Sequence, residues 1–140
     1  MASITDMVQE HNRAWNLHDA EKVASFYTKD CVQENAASGE VVQGRETLKA
    51  STEASFAANP DIKAEMKNVF VSGSWSASEL VLSGTNTGRG LTGGPPTGKS
   101  FSVRVCRIAE YEGDLIKRTT IYFDMATMLR QLGLMPPAPG

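Results

Sequence analysis

The chain has 140 residues, 41% of them hydrophobic, enough for one domain with a single core and too few for a second. Charged residues make up 21% and nearly cancel to a formal charge of −2, which leaves no electrostatic footprint for nucleic acid or an anionic membrane. No apolar run approaches the roughly 20 residues that span a bilayer, and the N-terminus has helical periodicity in place of a signal peptide's cationic start and apolar centre, so a cytoplasmic protein with a small-molecule or protein partner is expected.

In chain order, Ile4, Met7, Val8, Ala14 and Trp15 recur at helical spacing and predict an amphipathic helix over 4–17. Asp19 caps a second helix that turns Val23, Phe26 and Tyr27 inward and stops near Asp30. An extended piece over 40–43 follows. Gly44 then opens a third helix to about Ala58, closed by Asn59-Pro60 because the residue before proline is pushed out of helical geometry. From Ile62 the period changes to two, predicting strands over 62–73, 75–88, 100–112 and 115–123 in an antiparallel meander. Glu112-Gly113-Asp114 reads as a tight hairpin, and 91–99 as a longer Gly/Pro loop. Asp124 starts a short helix through Met125, Met128, Leu129 and Leu132, stopped by Gly133 and by Pro136-Pro137. One domain over 1–135 with a Pro-rich tail at 136–140 is expected. Helices first and a curled sheet after them define an α+β arrangement.

Residues 93–100, GGPPTGKS, match the phosphate-loop pattern GxxxxGK[ST] letter for letter. The following Phe101-Ser102-Val103-Arg104-Val105 alternates like a strand, whereas a phosphate loop needs a helix there, and two adjacent prolines remove amide donors from the cradle. A rigid loop between strands is the expectation. Cys31 and Cys106 show neither CxxC nor metal-ligand spacing and read as buried free thiols. His11 and His18 are the only histidines and make no adequate ligand set, so no metal and no cofactor are expected.

The run GTNTGRGLTGGPPTGKS, the D-x(5)-RQLG ending at 124–133, and the NLHDAEKVASFYTKDCV stretch followed by the GRE turn at Gly44 resemble SnoaL-like polyketide cyclases, in the nuclear transport factor 2-like superfamily that also holds ketosteroid isomerases and limonene epoxide hydrolases. The resemblance spans almost the whole chain. It implies an α+β cone: three N-terminal helices packed on a curved antiparallel sheet, a short C-terminal helix, an enclosed pocket, and a homodimer through the sheet's outer face, where Leu80, Leu82 and Ile108 would need covering.

Alternation along the strands puts Arg107 on one face with Val103, Val105 and Ala109, and puts Ile116, Arg118, Thr120, Tyr122 and Asp124 on another. The resemblance turns both faces toward the cavity, with His11 and Trp15 one helical turn apart above them. It implies that Asp124 is the proton-shuttling carboxylate of an intramolecular aldol closure. An Asp opening a helix is also a favoured N-cap. Arg107 and Arg118 would stabilise an oxyanion, or pair with Glu34, Glu79 or Asp124. His11, Trp15, Asn35 and Tyr122 would bind substrate, His11 alternatively serving as hydrogen-bonded packing.

Comparison with ketosteroid isomerases places His11, Asn35 and Arg107 at their tyrosine and two aspartates, which disfavours steroid isomerisation, since Asn35 cannot take a proton. Asn86 replaces the family's usual histidine in GT-H-TG, and Arg118 and Thr120 replace a glutamate and a tryptophan. The leading expectation is a cofactor-independent cyclase, isomerase or lyase for a hydrophobic carbonyl-containing molecule. The alternatives are a non-catalytic small-molecule-binding domain and, more weakly, an epoxide hydrolase, which needs an Asp-Arg-Asp relay.

Overall fold

In the computed structural model the described residues are 3–88 and 95–136. Helix α1 (Ile4–Asn16) begins with a capping box: Ser3 Oγ accepts from the Asp6 amide and the Asp6 carboxylate accepts from the Ser3 amide. Its buried stripe is Met7, Val8, His11 and Ala14. Asn12 and Asn16, one turn apart, fasten it to the sheet. Both donate to the Ala64 carbonyl, and Asn16 Oδ1 accepts from the Ala64 amide at 2.7 Å. His18 turns the chain with a φ of +56° and stacks on Phe56 at 4.5 Å, its Nε2 donating to the Ile62 carbonyl at 2.7 Å.

Helix α2 (Ala20–Ala24) starts at the expected Asp19 cap but is much shorter than predicted. Phe26 and Tyr27 do not continue it; Tyr27 instead opens strand β1 (Tyr27–Asn35), which hairpins to β2 (Val41–Gln43) before α3 (Arg45–Ala58). The meander follows as β3 (Lys63–Ser72), β4 (Trp75–Thr85), β5 (Ser100–Glu112) and β6 (Leu115–Phe123), and α4 (Met125–Gln131) closes the fold.

The six strands form one sheet in the order β2-β1-β6-β5-β4-β3. The sheet is mixed where an antiparallel one was expected, because β1 runs parallel to β6. The long first crossover through β2 and α3 brings the chain back to the far edge. Helices cover one face, with two apolar clusters on it: one built on α1, α2 and β1 around Val8, Tyr27, Leu48 and Ile116, the other on β3 to β5 and α4 around Ile62, Phe101, Met128 and Leu132. Gln131 clamps α4 to β5, its amide bonding both the Ser102 N–H (2.7 Å) and the Ser102 carbonyl (3.1 Å).

Register along β6 corrects one expectation. Pairing with β5 matches Tyr111 to Ile116 but Glu110 to Arg118, so Lys117 is an extra, bulged residue. A one-residue bulge reverses the alternation beyond it. Ile116 is buried as expected, but after the bulge Thr119, Ile121 and Phe123 face the helices while Arg118, Tyr122 and Asp124 do not. On β4, Leu80 and Leu82 face the cavity, not the outside, and the outer face carries Trp75, Glu79 and Ile108.

Residues 95–99 belong to no helix or strand and lead directly into β5, so no helix follows the GKS sequence; Gly93 and Gly94 lie outside the described residues, as do 89–92 and 137–140. Asn86 organises this connection. Its buried side chain donates to the Ala58 carbonyl and accepts from the Thr97 amide, and its backbone bonds Lys99 and Gly98.

Candidate functional site

Between the helices and the sheet lies a cavity of about 580 Å³. This volume suits a multi-ring molecule. Its walls are largely apolar: Leu80, Leu82, Phe101, Ile121 and Phe123 from the sheet, Trp15 from α1, and Met125, Met128 and Leu132 from α4. Methionines in such a wall adapt to irregular shapes. Trp15 meets Phe56 edge to face, with ring centroids 4.9 Å apart.

The polar chemistry concentrates on three buried side chains from three elements. Arg107 on β5 donates from Nη2 to the Tyr27 hydroxyl at 2.8 Å, and the same nitrogen lies 3.5 Å from His11 Nε2. The Tyr27 hydroxyl is 3.0 Å from His11 Nε2. A guanidinium has only donors, so the His11 nitrogen facing it carries the lone pair and Tyr27 donates its proton there. Burial, and secondly the Arg107 charge, hold the His11 pKa well below the ordinary histidine value. The imidazole is therefore neutral and at rest a weak base, whose proton affinity rises only as negative charge develops beside it.

Arg107, only 8% exposed, has no carboxylate within ion-pair distance among the described residues. Glu79, once a possible partner, lies on the outer face and accepts from Asn68 at 2.9 Å. Ser78 faces Arg107 across the β4–β5 ladder and also lines the cavity.

Of the residues expected from sequence, the structure brings His11, Trp15, Asn35 and Arg107 to the cavity wall. Asn35 Oδ1 accepts from the Ala37 and Ser38 amides, so part of its hydrogen-bonding capacity goes to holding the β1–β2 turn. Arg118, Tyr122 and Asp124 stand elsewhere, carried away by the Lys117 bulge. Arg118 is exposed, Tyr122 is 49% exposed, and Asp124 and Tyr122 line a depression on the other side of the sheet. Asp124 caps α4, accepting from the Thr127 amide at 3.1 Å and the Thr127 hydroxyl at 2.7 Å. Those bonds lower its pKa, the reverse of what a proton shuttle near neutrality needs. Among the described residues no Asp-Arg-Asp relay is assembled around Arg107.

Tyr27 is the residue that sequence reading placed in a helix and not in the site. Tyr27 and Cys31 are the buried positions of β1, and their four-residue spacing fits a helix as well as a strand, so it could not mark the site. Among the described residues no group of three or more His, Cys, Asp and Glu side chains could hold a metal ion, and no helix is long and apolar enough to cross a membrane. Cys31 is a buried free thiol and Cys106 a half-buried one.

An α+β cone with a pocket of this kind is the architecture of the ketosteroid isomerase-like folds. The profile of the SnoaL-like polyketide cyclases matches residues 5–132, and the chain belongs to that family. No curated protein matches it in sequence. Among solved structures it is similar to IdmH, a candidate polyketide cyclase from Streptomyces antibioticus, at 24% identity over 92% of this chain and 97% of that one, with a TM-score of 0.77. A candidate SnoaL-like polyketide cyclase from Jannaschia sp. CCS1 is 19% identical over 98% and 99% of the two chains, with a TM-score of 0.80. A ketosteroid isomerase-like protein from Catenulispora acidiphila, solved with trimethylamine, is 18% identical over 95% and 96%, with a TM-score of 0.82. At these identities the structural likeness defines the fold.

Proposed function

We propose that the protein is a cofactor-independent cyclase or isomerase for a hydrophobic carbonyl compound, working through His11, Tyr27 and Arg107. The observation that carries this reading is a neutral histidine joined through a tyrosine hydroxyl to a buried guanidinium, on the wall of an otherwise apolar cavity. A carbon acid beside a carbonyl gives its proton to the Tyr27 oxygen as Tyr27 passes its own to His11 Nε2. The enolate oxygen is stabilised by Arg107 N–H groups. The enolate carbon then attacks a second carbonyl of the same molecule, or is reprotonated at another carbon, and the relay returns the proton. No atom is gained or lost. The apolar wall holds the chain in a closure-ready shape.

A test is α-proton exchange of a ring ketone such as 2-tetralone in heavy water, followed by NMR. The wild-type protein should accelerate exchange, and His11→Gln should lose on the order of 100-fold, the usual lower range for an acid/base group. Exchange at the buffer rate from a demonstrably bound ketone would reject catalysis. It would favour the binding-domain reading, which one observation supports: among the described residues the sole carboxylate on the cavity wall, Glu40, is exposed.

We also propose that two copies pair through the outer sheet face. Phe70, Trp75 and Tyr122 are exposed there beside charges of both signs, Glu79 and Arg104, which suits a self-complementary contact. Sedimentation should give a dimer for the wild type and a monomer for Trp75→Glu; a monomeric wild type sinks the pairing.

A further inference from the structure

We infer that the ligand of this cavity carries its own negative charge, an organic oxyanion on an apolar ring body, and that Arg107, Ser78 and Trp15 form its seat. This rests on the pocket reading above and adds the ionisation state of the ligand. A guanidinium removed from water without a counter-ion is expensive, and proteins resolve that expense by pairing it. Arg107 is 8% exposed, and its recorded hydrogen-bond partners are a phenol and an imidazole, both neutral. No Asp or Glu among the described residues pairs with it, and residues 1, 2, 89–94 and 137–140 include none.

A second observation points the same way. Ser78 is 1% exposed, lines the cavity, and its Oγ has no hydrogen-bond partner among the described residues. It stands directly opposite Arg107 in the β4–β5 register, and opposed residues have Cβ atoms about 4.5–5.5 Å apart. Trp15 Nε1–H, on the α1 turn after His11, is also without an acceptor and belongs to the same wall. A hydroxyl without an acceptor opposite a guanidinium, with an indole N–H without an acceptor elsewhere on the same wall, makes a donor-rich seat, complementary to the two lone-pair-bearing oxygens of a carboxylate or an ionised 1,3-dicarbonyl. Neither an ester nor a ketone supplies the missing charge.

The experiment compares matched pairs by fluorescence or calorimetric titration at neutral pH. One arm sets anthracene-2-carboxylate against its methyl ester. The other sets 2-phenylindane-1,3-dione, ionised at that pH, against its 2-methyl derivative, which cannot ionise. At least one anion should bind about tenfold or more tightly than its neutral partner, and the arm with the larger ratio identifies carboxylate or dicarbonyl as the chemistry recognised. Arg107→Gln should bring that ratio close to one, and Ser78→Ala should weaken the anion about three- to tenfold while sparing the neutral partner. The Ser78 variant keeps the test sharp if Arg107→Gln fails to fold. Neutral partners that bind as well as the anions overturn the charged ligand and leave the apolar pocket standing. Failure of all four probes to bind overturns both.

Discussion

Arg107 on the central strand β5 and Tyr27 at the start of β1 are joined by a 2.8 Å hydrogen bond that crosses β6, linking the middle of the sheet to the strand that the helical half contributes. The same hydroxyl reaches His11 on α1, so one oxygen ties three elements together.

Tyr27→Phe should therefore destabilise the protein out of proportion to its size. The ring still fills its place, but His11 and Arg107 both lose a partner while remaining buried. Leaving buried polar groups unsatisfied costs about 1–3 kcal/mol. Urea unfolding of Tyr27→Phe against wild type should show a loss in that range with an unchanged m-value. A loss under about 0.5 kcal/mol would mean the hydroxyl is not a structural bridge.

His11 makes stability depend on pH with a defined sign. Its folded pKa is depressed by burial and by Arg107, whereas in the unfolded chain it titrates near the ordinary value of about 6.5. Below that pH the unfolded state binds a proton that the folded state refuses. Stability is therefore complete above about pH 6.5 and falls as the solution is acidified through the window beneath it. The groups facing His11 in the described structure are Tyr27, Phe26 and Arg107. Asp61, Glu65 and Asp124 have lowered pKa values and act at more acid pH. Urea midpoints at about pH 7.5, 6.5 and 5.5 should decline for wild type and stay nearly level for His11→Phe. Parallel curves would disprove the assignment.

Asp124 should behave as a cap and nothing more. Asp124→Asn keeps an acceptor for the Thr127 amide and should melt close to wild type, whereas Asp124→Ala should melt lower because α4 loses its first-turn partner. Both variants should bind cavity ligands within about twofold of wild type, since the carboxylate lies outside the cavity and a twofold change is under half a kcal/mol. A large loss of affinity or turnover in Asp124→Asn would return the residue to the site.

What sequence reading captured and what it missed follow from how local each signal is. The alternation of Val103, Val105, Arg107 and Ala109 runs unbroken along β5, so the inward placement of Arg107 was legible. On β6 the same rule holds only as far as Ile116. The Lys117 bulge is set by pairing with Glu110 and Tyr111 on another strand, and neither glycine nor proline marks it, so Arg118, Tyr122 and Asp124 were assigned to the wrong face. Tyr27 was lost for a related reason. Val23, Phe26 and Tyr27 fit a helical stripe, but the residues beyond Ala24 are claimed by a parallel pairing with β6, nearly ninety positions away along the chain. The Asp19 and Asp124 caps and the Glu112-Gly113-Asp114 hairpin depend on immediate neighbours and were readable. That no carboxylate among the described residues pairs with Arg107 is a property of every packed element at once, and no local pattern announces it.

The GTNTG stretch makes its own prediction, independent of ligands. Asn86, 1% exposed, holds the end of α3 through the Ala58 carbonyl and the returning loop through the Thr97 amide. Gly88 donates to the same Ala58 carbonyl and packs so closely that a Cβ there would stand 1.9 Å from the Ala57 oxygen. Asn86→Ala should cost about 1–3 kcal/mol by stranding the Thr97 amide, while the Ala58 carbonyl keeps only its bond from Gly88. Gly88→Ala cannot be accommodated without moving backbone, so it should destabilise as well and loosen the end of α3, where Ser55 and Asn59 line the cavity. Urea unfolding combined with hydrogen exchange checks both effects: faster exchange should appear at the Asn59 amide, which bonds Ser55 at the helix end, and not at the β4–β5 ladder. Wild-type stability in Gly88→Ala would show that the loop yields freely, and the stretch would then be a connection without a clamp.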